Sequence, residues 1–237
     1  MMIPFQPLHD EAPVLRLSPM LTATMKTFAY IEANGPIELT PAKALKRYFV
    51  EWAAEAFEWP HYGTDYLYDL NKVLNERDFT PLMILHDVWL GARLVRHYKG
   101  KMALTKAGKA LAQQPAALWA VLTNYFLCEF DHAAYTRFDE RLHGNWGVFL
   151  NILNIEAQAG LSQDRFAALV LGMTEEGLQL DYHFRSLFYV HVLRPLAWTG
   201  LLSEHREGRE RLFMKTPLWA ATLKLETDAF LQPVTRH

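Results

Sequence analysis

Apolar residues recur every three to four positions along most of this chain, so the pattern predicts helices. Residues 1–20 are the exception. Pro4, Pro7, Pro13 and Pro19 stand there without a steady period, which predicts an irregular surface arm. Leu21 to Ala33 predicts a helix stopped by Asn34-Gly35-Pro36, and Ile37 to Leu39 a very short strand. Thr40-Pro41 predicts a capped helix carrying Ala44, Leu45, Phe49, Trp52, Ala53 and Phe57 on one face. Tyr66 to Leu74 predicts the next helix, and Thr80-Pro81 opens another through Leu90. Leu94 to Tyr98 and Lys101 to Leu104 alternate as two strands around Lys99-Gly100, and Thr105 caps the helix after them. From Pro115 the period is helical again. Breaks fall at His143-Gly144-Asn145 and Gly160, and Ser162 caps a helix to Leu171. A long apolar segment runs from Thr174 to Trp198, with Pro195 marking a bend or boundary. A second pair of strands lies within Leu202 to Met214, turning at Arg206 to Arg209, and a last helix covers Leu218 to Leu225.

The two strand pairs belong to an internal repeat. Residues 108 positions apart fall together: Leu85 with Leu193, Val88 with Leu196, Ala92 with Gly200, Leu94 with Leu202, His97 with His205 and Gly100 with Gly208. Each copy is an apolar helix, a small residue, a strand, a charged turn, a strand and another helix. That order is the grammar of a winged helix. The fold expected is mainly α (α+β), with two tandem winged-helix-like units, each with a small β-hairpin wing. The boundaries expected are an arm at 1–20, a first unit at 21–112 and a second unit at 113–237.

The region from 35 to 135 resembles a group of uncharacterised bacterial proteins, related regions of which accompany plasmid-borne open reading frames. The residues that carry the resemblance are Ala92-Arg93-Leu94-Val95-Arg96, Lys99-Gly100-Lys101, Leu104-Thr105-Lys106-Ala107-Gly108 and, upstream, Leu39 to Lys46. The resemblance implies a winged-helix-like fold. It implies no biochemical role, so no site residue is carried over.

Composition narrows the functional classes. Half of the 237 residues are apolar, enough for a sizeable core, and the formal net charge is −2. The single cysteine, Cys128, excludes an internal disulfide framework and suits a reducing compartment. No Lys/Arg-led apolar leader and no membrane-length apolar run is visible, so a cytoplasmic protein with no membrane partner is expected.

The charge distribution supplies the candidate site. Between Val88 and Leu111 stand Arg93, Arg96, Lys99, Lys101, Lys106 and Lys109 without an acid. Cations on a hairpin can hold phosphates, and the Thr105 hydroxyl can add a contact, so Arg93, Arg96, Lys99, Lys101, Thr105 and Lys106 form a candidate nucleic-acid surface. The same cations also suit a solvated edge that discourages strand pairing. The helix before them argues against base reading. Thr80 to Leu90 offers Met83, His86, Asp87 and Trp89, whereas groove-reading helices present Arg, Asn, Gln or Lys. Seven acids (Glu51, Glu55, Glu58, Asp65, Asp69, Glu76, Asp78) against Lys72 and Arg77 stand just upstream and would repel DNA. The second turn alternates Glu204, Glu207 and Glu210 with Arg206, Arg209 and Arg211, a pattern of local ion pairs.

Two weaker constellations remain. Cys128 and His132 would share a helical face as zinc ligands, with Asp139 or His143, and Cys128 could serve as a nucleophile with a distant histidine as base. A buried structural cysteine is the expected outcome, with no metal and no cofactor. The load of 7 Trp, 10 Tyr and 14 Phe, with Tyr62, Tyr66 and Tyr68 beside the acidic run, suits a protein interface or homodimer. The reading is therefore a non-enzymatic winged-helix-like protein with weak, non-specific DNA-associated binding through the first wing. Its alternatives are a protein-interaction or self-association module, and an enzyme around Cys128 and His132.

Overall fold

The computed structural model describes residues 3–136, 142, 145–174, 182–208 and 210–231. The chain forms two compact units, residues 9–126 and residues 1–8 with 127–237.

In the N-terminal unit, a 3-10 turn at Pro13–Leu17 leads into α1 (Pro19–Asn34), whose cap Ser18 accepts from the Leu21 amide. The irregular arm is therefore shorter than the proline pattern suggests. Gly35, at φ 82°, ends the helix in a backbone region open to glycine. The strand β1 (Ile37–Glu38) follows. Thr40-Pro41 does not open a helix, contrary to the sequence expectation. Thr40 and Ala44 bond to each other, Leu39 bridges Leu45, and Lys43 lies at φ 64°. That closed turn consumes the amides a helix would need, so α2 begins only at Arg47 (Arg47–Ala56). The predicted 66–74 helix is likewise short: α3 (Thr64–Leu70) ends before a 3-10 turn at Glu76–Asp78.

The next helix, α4 (Thr80–Gly91), starts where predicted, with Pro81 in its first turn. It is buried almost all round, and Asp87 and Gly91 are its exposed residues. The strands β2 (Val95–Tyr98) and β3 (Lys101–Leu104) then form the expected hairpin. Its turn residues Lys99 and Gly100 have φ 48° and 72°. Two positive φ values define a type I′ turn, whose twist matches that of the strands. The sheet has the order β1-β3-β2. Helices α5 (Lys106–Leu111) and α6 (Pro115–Cys128) follow.

The C-terminal unit repeats this plan with α7 (Trp146–Glu156), β4 (Leu161–Ser162) and α8 (Gln163–Leu171). Residues 175–181 of the long apolar segment lie outside the described residues; the rest of it is helical in α9 (Tyr182–Phe188) and α10 (Arg194–Trp198). Between them Tyr189–Leu193 is a π-helical turn, in which the Arg194 amide reaches the Tyr189 carbonyl. Pro195 has no amide to give and its ring crowds the previous turn, so a locally widened helix replaces the expected break. The strands β5 (Leu202–Glu207) and β6 (Glu210–Lys215) complete a sheet of order β4-β6-β5, before α11 (Pro217–Thr222) and a 3-10 turn at Glu226–Phe230. Arg209, in the predicted second turn, lies outside the described residues. Residues 3–8 belong to this unit, where Ile3 is buried and the Gln6 amide donates to the Thr222 carbonyl at 2.7 Å.

Hydrogen bonds set the register of the repeat. The Leu94 amide donates to Trp89 O as the Leu201 amide does to Leu196 O, both at 2.9 Å. The Thr105 hydroxyl donates to Arg93 O at 2.8 Å, as the Thr216 hydroxyl does to Gly200 O at 2.6 Å. Arg93 and Gly200 both have positive φ. Arg93 thus corresponds to Gly200 and Leu94 to Leu201, one residue out of step with the sequence alignment. Each strand of the second hairpin is two residues longer, so aligning Gly100 with Gly208 displaces the helices. The structural counterpart of His97 is Glu204, not His205.

Candidate nucleic-acid interface

The first hairpin separates its two faces by strand alternation. Val95, Met102 and Leu104 are buried on one face with half-buried His97, while Arg96, Tyr98 and Lys101 are exposed on the other. Tyr98 is 57% exposed. The Arg96 guanidinium carbon lies 5.5 Å from its ring centre and the Lys99 Nζ 5.3 Å, so an aromatic plate is flanked by two cations. Glu38 stands opposite Lys101 in the sheet, and Lys46 bonds it at 2.6 Å, which holds its carboxyl below the ordinary value. Residues 95–104 carry no acid. Lys106 and Lys109 are exposed on α5, and Arg93 is exposed just after α4. A cleft of about 380 Å³ beside this face is lined by Ile31, Pro36, Arg96, Ala103, Leu104 and Lys109, together with Glu32.

Thr105 stands apart from these cations. Its hydroxyl donates to Arg93 O and Leu94 O and accepts from the Gly108 amide at 3.0 Å. It locks the hairpin exit to α5 and has no further proton to give a phosphate. Gly108 explains the spacing of the motif: a Cβ there would lie 2.1 Å from the Leu94 carbonyl oxygen. The Leu-Thr-x-x-Gly string is thus a joint that draws a helix onto a strand start.

The inner face carries a polar chain that sequence reasoning did not assemble. Glu76 is buried; its Oε1 lies 2.5 Å from His86 Nδ1, and its Oε2 accepts the Leu45 amide at 2.6 Å. His86 Nε2 lies 2.8 Å from His97 Nε2. Two ring nitrogens at that distance must share one proton as donor and acceptor. Burial holds the His97 pKa below its ordinary value, reinforced by His86 and Lys43 and opposed by Glu76 and Asp87. The chain ties the 3-10 turn, α4 and β2 together. Separations of ten and eleven residues cross element boundaries, so no local period announces it.

In the second hairpin Arg206 and Arg211 both pair with Glu204. The Glu204 carboxylate is nearly buried, accepts from Arg206 Nε at 2.8 Å and lies 3.7 Å from Arg211 Nε. Arg211 stacks 3.9 Å over the Tyr189 ring. The Tyr189 phenol donates to Glu204 at 3.3 Å, and its pKa is pushed up to about 12, by burial first and then by Glu204. Of the predicted local ion pairs of this turn, those of Arg206 and Arg211 with Glu204 are present.

Cys128 and His132 do not share a helix. The helix α6 ends at Cys128, and His132 opens a separate 3-10 turn capped by Asp131. Cys128 is half-buried rather than buried, and burial raises its thiol pKa, away from a reactive thiolate. Asp139 and His143 lie outside the described residues. Among the described residues no group of three or more His, Cys, Asp or Glu is placed to hold a metal ion. Likewise, no helix among them is long and apolar enough to cross a membrane.

Fold and site define a mainly helical α+β protein of two repeated units, one with a basic hairpin and one with a charge-neutralised hairpin. Residues 16–117 match the family described as Y4jL N-terminal domain, and residues 136–217 the one described as y4jL C-terminal domain. The chain is 36% identical over 167 residues to the uncharacterized protein y4jL of Sinorhizobium fredii (strain NBRC 101917 / NGR234), covering 70% of this chain and 76% of that protein. It belongs to the Y4jL family. No solved structure matches it.

Proposed function

We propose that the N-terminal unit is winged-helix-like and binds a nucleic-acid backbone through the outward face of its hairpin, without reading bases. The observation that carries this is the hairpin face of Arg96, Tyr98, Lys99 and Lys101, which has no acid of its own and whose sheet neighbour Glu38 is paired with Lys46, extended by Arg93, Lys106 and Lys109. Thr105 serves as the joint of that surface. The mechanism is electrostatic: each cation placed on a phosphate releases condensed counterions, and Tyr98 packs on the sugar-phosphate chain. Base reading is not part of it, because α4 is enclosed and cannot enter a major groove.

The test is fluorescence anisotropy of labelled duplexes of random sequence at several salt concentrations. Non-specific affinity is expected in the range of about 1–100 µM, with a log–log salt slope near −0.9 per neutralised phosphate, about −3 for three contacts. Replacing Arg96, Lys99 and Lys101 together by Glu is expected to abolish binding and leave the circular dichroism unchanged. Binding that survives this triple variant, or that is absent at low salt, overturns the proposal.

A further inference from the structure

A second surface of the N-terminal unit has the opposite character to its hairpin. Tyr66, Tyr68, Leu70 and Val73 are 52%, 43%, 66% and 40% exposed, four large apolar side chains within eight residues on and just after α3. Among the described residues the other large exposed apolar side chains are dispersed, and no other eight-residue stretch carries four. The seven-residue α3 buries Leu67 and turns the rest outward. Tyr66 and Leu70, one helical turn apart, share one flank of the exposed side of α3, and Tyr68 lies on the other; isolated exposed apolar residues are ordinary, whereas several gathered on one short helix mark an interaction surface.

The strip is set in negative charge. Asp65 and Asp69 lie on α3, one helical turn apart. Glu51 and Glu55 lie on α2, close enough to Tyr68 to raise its phenol pKa alongside the larger effect of burial. None of these four carboxylates makes a salt bridge to a described residue. The surface therefore offers aromatic and aliphatic contact area together with unneutralised acid.

The first hairpin of the same unit is its complement in charge and in kind. It presents Arg96, Lys99 and Lys101 around an exposed aromatic ring, on a two-stranded ribbon with no acid of its own. We propose that the α3 strip takes the basic hairpin of a second copy of this chain, head to tail. Tyr98 packs on Tyr66 and Leu70, while the hairpin cations face Asp65 and Asp69 on the helix and Glu51 and Glu55 beside Tyr68. Such a contact joins two different surfaces, so the pair keeps one strip and one hairpin free, and association closes into a ring or grows as a chain. The inference shares the hairpin with the nucleic-acid reading but does not rest on it; a polyanion would compete for the same cations and dissociate the assembly.

The test is sedimentation velocity of the full chain across a concentration series at low and high salt, with two charge-reversed variants. One carries Lys99→Glu and Lys101→Glu, the other Glu51→Lys and Glu55→Lys. Wild type is expected to associate with rising concentration at low salt, and about tenfold or more weakly at high salt, since exposed charges are screened there. Each variant alone is expected to remain monomeric, because like charges then face each other. An equimolar mixture of the two is expected to associate, because each carries the complement of the other. A wild type that is monomeric throughout overturns the proposal. So does association insensitive to salt, or a folded pair of variants that does not associate on mixing. The salt dependence of wild type tests the idea even where a variant fails to fold. The Glu51→Lys, Glu55→Lys variant retains the hairpin, so its affinity for duplex DNA tests the nucleic-acid reading separately.

Discussion

The two hairpins are built on one backbone plan and carry opposite electrostatics. In the first, Arg96, Tyr98 and Lys101 occupy the outward face, while His97 on the inner face is tied through His86 to Glu76. In the second, Arg206 and Arg211 are paired across the strands and gather around nearly buried Glu204 and Tyr189. At equivalent positions, His97 is replaced by Glu204. Strand alternation puts Arg206 and Arg211 on the same face as Glu204, where they pair with it, whereas Arg96 and Lys101 of the first hairpin stand on the face opposite the histidine chain. The lesson is that the count of basic residues on a wing says less than the face they occupy.

The joint between hairpin and following helix offers the largest ways to break the comparison. By the shared Thr105 and Thr216 caps, Gly108 and Trp219 hold equivalent positions, three residues on. Trp219 is buried, and its indole N–H donates to Asn154 Oδ1 at 3.2 Å. Trp219→Ala should cost about 4 kcal/mol in denaturant unfolding, from the cavity and the lost partner together. Glu76→Ala should cost about 3 kcal/mol, because the His86 ring and the Leu45 amide both lose a buried acceptor. Gly108→Ala should cost about 2 kcal/mol for the opposite reason to Trp219→Ala, since an added methyl meets the Leu94 carbonyl. A neutral Gly108→Ala would mean that α5 can draw away from the strand without penalty.

A smaller effect concerns pH. The His97 pKa is lowered in the fold, so between its native value and the ordinary 6.5 the unfolded chain binds more protons than the folded one. The stability linked to His97 is fully present above about pH 6.5 and is lost as the pH falls through the native value. Melting temperature should therefore decline on acidification below that point, and His97→Asn should flatten the decline. An identical acid profile in His97→Asn would remove the histidine chain as its cause. The smallest effect expected is on stability in Lys99→Glu, below about 0.5 kcal/mol, since the side chain is exposed.

Local chemistry carried much of the architecture. Alternation located both hairpins within a residue or two, Lys99-Gly100 named the first turn, and Thr105 and Ser162 marked helix starts that the structure places there. These features depend on neighbours in sequence: a cap bonds to an amide two or three residues on, and a type I′ turn depends on its own two residues. The failures share a different cause. Thr40-Pro41 has the chemistry of a helix start, but the Leu39–Leu45 bridge and the Glu76 carboxylate on the Leu45 amide hold it as a turn. The repeat was visible in the sequence, yet its register was one residue off, because strand length is set by cross-strand pairing and not by where the glycines stand. The basic composition of the first wing was plain in the chain, while the facing of its cations, the enclosure of α4 and the Glu76–His86–His97 chain were settled only when distant elements packed. Sequence by itself determined most of the helices, both hairpins, the two-unit plan and the charge of each hairpin, all of which follow from short-range bonding and periodicity. Tertiary structure alone decided which side chains face solvent and which pair in the interior, because burial and long-range hydrogen bonds depend on partners that no local spacing encodes.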